Sequence, residues 1–270
     1  MFLFSFGTRP EIIKQFPLIQ EMNRRKIPYK TLFSGQHEDL IKDFIDLIGK
    51  PDYSFENIIT HGQSLNRLVS KIVESSDKLL NQNTDFKIIV QGDTSTAFAL
   101  ALSGFQNGND VIHVEAGLRT HNLQSPFPEE ANRTLVSKLA SFHFCPTQRS
   151  VDNLSREGIN KNVYLVGNTI VDSFNLISKK NLESDEVKNL VKSIDDYIVC
   201  TLHRRENRKN MEILWNELNI LSENRNIIYI NHPSVVEAKN NLSKQIKLIE
   251  PVNYFDIVYL IENCSGVISD

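Results

Sequence analysis

"KIIVQGDTSTAFALAL", residues 87–102, is the stretch whose reading decides the fold. Ile88, Ile89 and Val90 form a short β-branched run, Gly92 and Asp93 make a turn, and small apolar residues then follow with a helical pattern. A strand that empties through a tight turn into a helix is the repeating unit of a parallel sheet wound with helices. Outward from this unit the same alternation recurs, with strands expected at 2–6, 30–34, 87–91, 111–114, 142–145 and 163–166. Between them Ile12, Phe16 and Ile19 share one helical face, as do Leu65, Leu68, Val69, Ile72 and Val73. Pro10 suits a first helical position, whereas Pro17 is expected to kink its helix. From about 175 to 195 the chain turns polar and charged, which reads as a linker merging into a surface helix. A second series follows: strand 197–202, helix 210–223, strand 227–230, helix 234–242, strand 246–249, helix 253–262 and strand 266–269. With 270 residues, two domains are expected, 1–170 and 171–270, each α/β and Rossmann-like.

Composition narrows the function. A formal net charge of −3, a pI near 6.2 and no long basic block argue against nucleic acid as the main partner. Cys145, Cys200 and Cys264 are scattered and show no metal-ligand spacing, so reduced thiols and a cytoplasmic protein are expected. The apolar opening "MFLFSFG" (1–7) is short, lacks a basic leader and runs into a charged turn. It reads as neither signal peptide nor membrane span.

In doubly wound sheets ligands bind outside the carboxyl ends of the strands, so the residues just after each strand matter most. Strand one leads to Arg9 and Lys14; "KIIVQGD" delivers Asp93; "VIHVE" (111–115) delivers Glu115; "IVCTLHRREN" (198–207) delivers His203, Arg204 and Arg205. Each has an ordinary alternative. Asp93 would cap the helix that follows it, Glu129 would pair with Arg133 at i,i+4, Arg9 would be a surface charge and His203 a core histidine. Their convergence on one rim favours a shared task. No G-x-G-x-x-G accompanies it, which argues against a dinucleotide. Basic groups would suit a diphosphate, and the carboxylates proton transfer.

Six segments, "GTRPEIIK" (7–14), "QGDTST" (91–96), "HVEAGLRT" (113–120), "PFPEEANR" (126–133), "VGNTIVD" (166–172) and "HRREN" (203–207), occur in this order. Together they resemble the non-hydrolysing UDP-N-acetylglucosamine 2-epimerases over the whole chain. The resemblance implies two doubly wound domains in a glycosyltransferase-B-like architecture, with a UDP-sugar in the cleft between them and 113–133 forming one wall. It implies reversible epimerisation of UDP-GlcNAc and UDP-ManNAc, by elimination of UDP to 2-acetamidoglucal and re-addition, for surface-polysaccharide synthesis. Asp93, Glu115 and Glu129 become the proton-transfer carboxylates, with His203 a catalytic-site group toward the departing diphosphate. Arg9, Lys14, Arg133, Arg204 and Ile257 become substrate binders. Neither metal nor other cofactor is implied, and a homodimer is.

Departures from the family pattern set further expectations. The closing "VISD" (267–270) resembles a point where the family continues into "SGG" and two glutamates, so the second domain is expected to be incomplete. The family's second, activating UDP-sugar site uses "QHxQ" and "RQ", where this chain has "QHED" (36–39) and "GQ" (62–63), which argues against that activation. Three alternatives stay open: an epimerase for a 6-deoxy relative of the sugar, a hydrolysing enzyme releasing ManNAc, and a catalytically silent UDP-sugar-binding chain.

Overall fold

The computed structural model describes residues 1–35, 42–60, 62–202, 205–231, 235 and 238–270, with the backbone alone at 42, 43, 205, 206, 208 and 239. The chain divides into two compact units, Met1–Ser173 and Phe174–Asp270.

In the first unit seven strands alternate with helices: β1 (Phe2–Phe6), α1 (Arg9–Arg25), β2 (Tyr29–Phe33), α2 (Lys42–Ile48), β3 (Tyr53–Ser54), α3 (Leu65–Gln82), β4 (Lys87–Gln91), α4 (Ser95–Gln106), β5 (Asp110–Val114), α5 (Glu129–Leu139), β6 (Phe142–Cys145), α6 (Gln148–Arg156) and β7 (Val163–Leu165). The strands lie in the order β3-β2-β1-β4-β5-β6-β7, and every pairing is parallel. Both faces are covered, as the strand period of two requires. Leu3, Ile88 and Val111 pack with Leu68, Ile72 and Leu100 of α3 and α4, while their neighbours Phe4, Ile89 and Ile112 pack with Ile19 of α1 on the other side. Pro17 stands buried inside α1, which continues to Arg25. The two-residue β3 is absent from the sequence reading because so short a strand leaves no alternation to read.

The helix α7 (Thr169–Ile177) runs into the segment read as a linker, and α8 (Asp185–Lys192), capped by Ser184, fills its second half. Buried Ser173 and Ile177 explain why α7 persists where the charge pattern suggested loop. In the second unit β8 (Tyr197–Thr201), α9 (Met211–Ser222), β9 (Asn226–Ile230), α10 (Ala238–Asn241), β10 (Lys247–Ile249), α11 (Tyr254–Glu262) and β11 (Gly266–Ser269) follow, with a 3-10 turn at Arg205–Asn210 before α9. The sheet order is β10-β9-β8-β11. Cys200, Ile227 and Tyr229 face Trp215 and Leu218 of α9, and Tyr197, Val199, Ile228 and Ile230 face Val187 of α8 and Leu260 of α11. The final strand, β11, pairs with β8 alone among the described residues.

Candidate active site

The first sheet reverses its winding direction between β1 and β4, and a doubly wound sheet opens its binding crevice at that point, beyond the strand ends. Gly7 and Thr8 leave β1 and place Arg9 at the start of α1. Glu11 fixes this turn. Its Oε2 accepts the N–H groups of Gly7 (3.0 Å) and Thr8 (2.8 Å) and the Thr8 hydroxyl (2.8 Å), while its Oε1 accepts the Thr94 hydroxyl at 2.7 Å. One carboxylate thereby ties together the two turns that flank the reversal. Burial raises the Glu11 pKa, against the lowering effect of these hydrogen bonds. Arg9 is half-buried and forms no ion pair among the described residues, so its charge is free to meet an anion.

Asp93 does not cap α4. Thr94 does, accepting the N–H of Ala97 at 3.0 Å, which leaves the Asp93 carboxylate to accept from Arg133 Nη2. The turn is held on both sides. Asn132 Nδ2 donates to the Asp93 carbonyl at 2.9 Å, and His113 Nε2 donates to the Gly92 carbonyl at 2.9 Å. Burial pushes the His113 pKa down to about 3, so this imidazole is neutral at physiological pH and its Nε2 carries the proton. Arg133 turns its other nitrogen to Glu130 Oε2, 3.4 Å away. The expected i,i+4 partner Glu129 is not engaged: it is half-exposed and its carboxylate bonds no described residue.

Glu115 follows β5 with φ at +66°, a region that costs a non-glycine residue about 1–3 kcal/mol. Two donors hold it there. Lys14 Nζ lies 2.5 Å from Oε2, and Gln91 Nε2 donates to the same oxygen at 2.6 Å. The structure thus assembles Lys14 with Glu115, and Asp93 with Arg133, at the ends of neighbouring strands.

Much of the charge in 113–133 is structural. Arg119, with its side chain 1% exposed, grips Glu157 through two hydrogen bonds of 2.7 and 2.9 Å. Glu130 is buried, and its Oε1 accepts the N–H groups of Thr120 (3.0 Å) and His121 (2.9 Å), holding the loop to the start of α5. Gly117, at φ +82°, approaches α6 so closely that an added Cβ would lie 2.3 Å from the Ser150 carbonyl oxygen.

In the second unit, His203 and Arg204 lie outside the described residues, as do 36–39 of the first. Ile257 sits on α11 and packs against the cluster of Val187, Tyr197 and Val199. Among the described residues no group of three or more His, Cys, Asp or Glu is placed to hold a metal ion, and no helix is long and apolar enough to cross a membrane. The three cysteines are unpaired, and burial pushes Cys145 to about 11 and Cys200 to about 12. Sequence reasoning missed Glu11, Gln91, His113 and Asn132 as supports of the site. All four lie inside the quoted segments, and that position is the one signal in the sequence that marks them.

Known proteins resemble this chain over its whole length. The family model described as UDP-N-acetylglucosamine 2-epimerase matches residues 20–270. A UDP-N-acetylglucosamine 2-epimerase of Salmonella borreze is 38% identical over 99% of this chain and 76% of its own length. The crystal structure of the Neisseria meningitidis UDP-GlcNAc 2-epimerase bound to UDP-GlcNAc superposes with a TM-score of 0.88 at 35% identity, covering 100% of this chain and 77% of that one. The Methanocaldococcus jannaschii enzyme in complex with UDP-GlcNAc and UDP gives 0.83 at 34% identity, covering 100% and 79%. The fold is the α/β, glycosyltransferase-B-like class of these epimerases, and the chain belongs to the UDP-N-acetylglucosamine 2-epimerase family.

Proposed function

We propose that this protein interconverts UDP-GlcNAc and UDP-ManNAc at C2 through elimination and re-addition of UDP. The observation that carries the reading is the pair of separately anchored carboxylates, Asp93 and Glu115, at the ends of neighbouring strands, with Arg9, which forms no ion pair among the described residues, following the adjacent strand β1. C2–H of the sugar is not acidic, so proton loss is coupled to departure of the diphosphate. One carboxylate takes the C2 proton as the C1–O bond to UDP breaks, leaving 2-acetamidoglucal with a C1–C2 double bond. An acid on the other face then protonates C2, and a UDP oxygen returns to C1. Three carboxylates, Asp93, Glu115 and Glu129, are available for these transfers, and Arg9 stabilises the charge that grows on the leaving diphosphate. Lys14 and Arg133 act first on the carboxylates they touch. The family resemblance supports roles for His203 and Arg204 toward the diphosphate and for Ile257 beside the base. It also supports a cytoplasmic homodimer that serves surface-polysaccharide synthesis and needs no metal or other cofactor.

Turnover of UDP-GlcNAc in D2O, followed by proton NMR, tests the reading. Deuterium at C2 of the UDP-ManNAc formed is the expected result. Full retention of the original hydrogen would overturn the proton-transfer assignment, and free ManNAc with UDP would identify a hydrolysing enzyme instead.

A further inference from the structure

Gln91 is a buried amide at the end of β4, and nothing in the fold requires an amide there. Its Oε1 is buried without a hydrogen-bond partner among the described residues, which lowers stability compared with an apolar side chain of similar size. Its Nε2, however, donates to Glu115 Oε2 at 2.6 Å, the same oxygen that Lys14 Nζ approaches to 2.5 Å. The amide cannot turn over to satisfy Oε1, because that would set its oxygen against the carboxylate. Both donors fall on one oxygen of Glu115, and its Oε1 makes no hydrogen bond or ion pair among the described residues. The Glu115 backbone, at φ +66°, lifts the carboxylate off the line of β5, and the two donors arrest it from β4 and from α1.

From this geometry we infer that Gln91 is a positioning residue for the reaction: with Lys14 it fixes Glu115 by Oε2, so that Oε1 is the atom presented to the sugar proton. The inference rests on the epimerase reading for its kinetic consequence but not for its structural one, and two measurements separate them. The first needs no turnover. In full-length protein with carboxyl-labelled glutamate, the Glu115 resonance is assigned by its loss in Glu115→Gln and compared at neutral pH between the parent and Gln91→Met. Loss of the amide donor is expected to move and broaden that carboxyl resonance, because one anchored oxygen gives way to two that exchange. A resonance unmoved in position and width overturns the contact.

The second measurement is kinetic. Gln91→Met is expected to lower kcat by about 10- to 100-fold, less than loss of a proton-transfer group itself, while KM for UDP-GlcNAc stays within about threefold. Unchanged kcat despite a moved resonance overturns the positioning role, and so does a fall in kcat matched by a fall in melting temperature. If the parent exchanges no C2 hydrogen at all, the epimerase reading fails, and the NMR result still decides whether Gln91 governs Glu115.

Discussion

Arg133 reaches across 40 positions of the chain to the carboxylate of Asp93, rather than one helical turn back to Glu129. A cation that sequence spacing assigns to Glu129 thus serves the turn after β4 together with Glu130 of its own helix, and Thr94 takes over the cap. Rate and stability should separate accordingly. Thr94→Ala is expected to lose about 1 kcal/mol of stability for the cap and about 1.5–3 kcal/mol more for the hydroxyl it donates to Glu11, and Asp93→Asn about 10²- to 10⁴-fold in turnover if it transfers a proton. Melting curves and the UDP-GlcNAc/UDP-ManNAc exchange rate of the two variants check this; an exchange rate in Asp93→Asn near that of the parent would count against the assignment.

Adjacent glutamates of α5 should behave oppositely. Glu130 is buried and accepts two backbone N–H groups, and hydrogen bonds to a charged acceptor are worth about 1.5–3 kcal/mol each. Glu130→Gln should therefore melt markedly lower. Glu129 has no partner among the described residues, so Glu129→Gln should melt like the parent and lose turnover. Urea denaturation beside the exchange assay would expose a reversal of these roles.

Gly117→Ala is expected to destabilise the first unit by more than about 1 kcal/mol. The residue sits at φ +82°, and its new Cβ would lie 2.3 Å from a backbone oxygen that cannot swing away as a side chain can. Gly158→Ala makes the control, with a similar φ of +80° and nothing within 4 Å of the added carbon. Equal losses in the two variants would mean that α6 yields freely and the close approach carries no cost.

Stability should fall with acid through His113. Its folded pKa is depressed to about 3 from 6.5, so the unfolded chain binds the proton first. The contribution is complete above about pH 6.5 and is lost as pH falls toward 3, by up to about 1.4 kcal/mol per pH unit. His143 is depressed in the same direction by burial. Glu11, raised above 4.5 by burial, has the opposite sign, losing stability as pH rises through its folded value, so a comparison with His113→Gln isolates the imidazole. The stability gap between parent and variant should shrink by roughly 2 kcal/mol between pH 7 and pH 5. A constant gap would show that His113 titrates alike in both states.

Strand positions were legible in the sequence because runs such as Ile88–Val90 and Val111–Val114 are buried on both faces and announce themselves locally. So was the convergence of Asp93 and Glu115 on one rim, since parallel winding sends every strand end the same way. Partnerships were not. Asp93–Arg133, Gln91–Glu115 and Glu11–Thr94 each join different strand–helix units, and one sequence contains no signal for which of several plausible partners lies nearest in space. The i,i+4 rule offered Glu129 to Arg133, and the tertiary contact to Asp93 prevailed. Likewise α7 was hidden because its outer residues, Val171 among them, are exposed and its buried ones few.

The central pairing of the first sheet also sets an order of events during synthesis. Phe2 pairs with Lys87, and the Ser5 hydroxyl donates to the Ile89 carbonyl across 84 positions. β1 pairs with β2 along one edge, but its other edge must wait until that whole intervening stretch has left the ribosome. Closing so long a loop precedes any reward from the contact, which slows folding and prolongs exposure of the strand. Pulse-labelled hydrogen exchange on nascent chains should find β1 less protected in chains released at residue 80, where only its β2 edge can pair, than once β4 and α4 are complete.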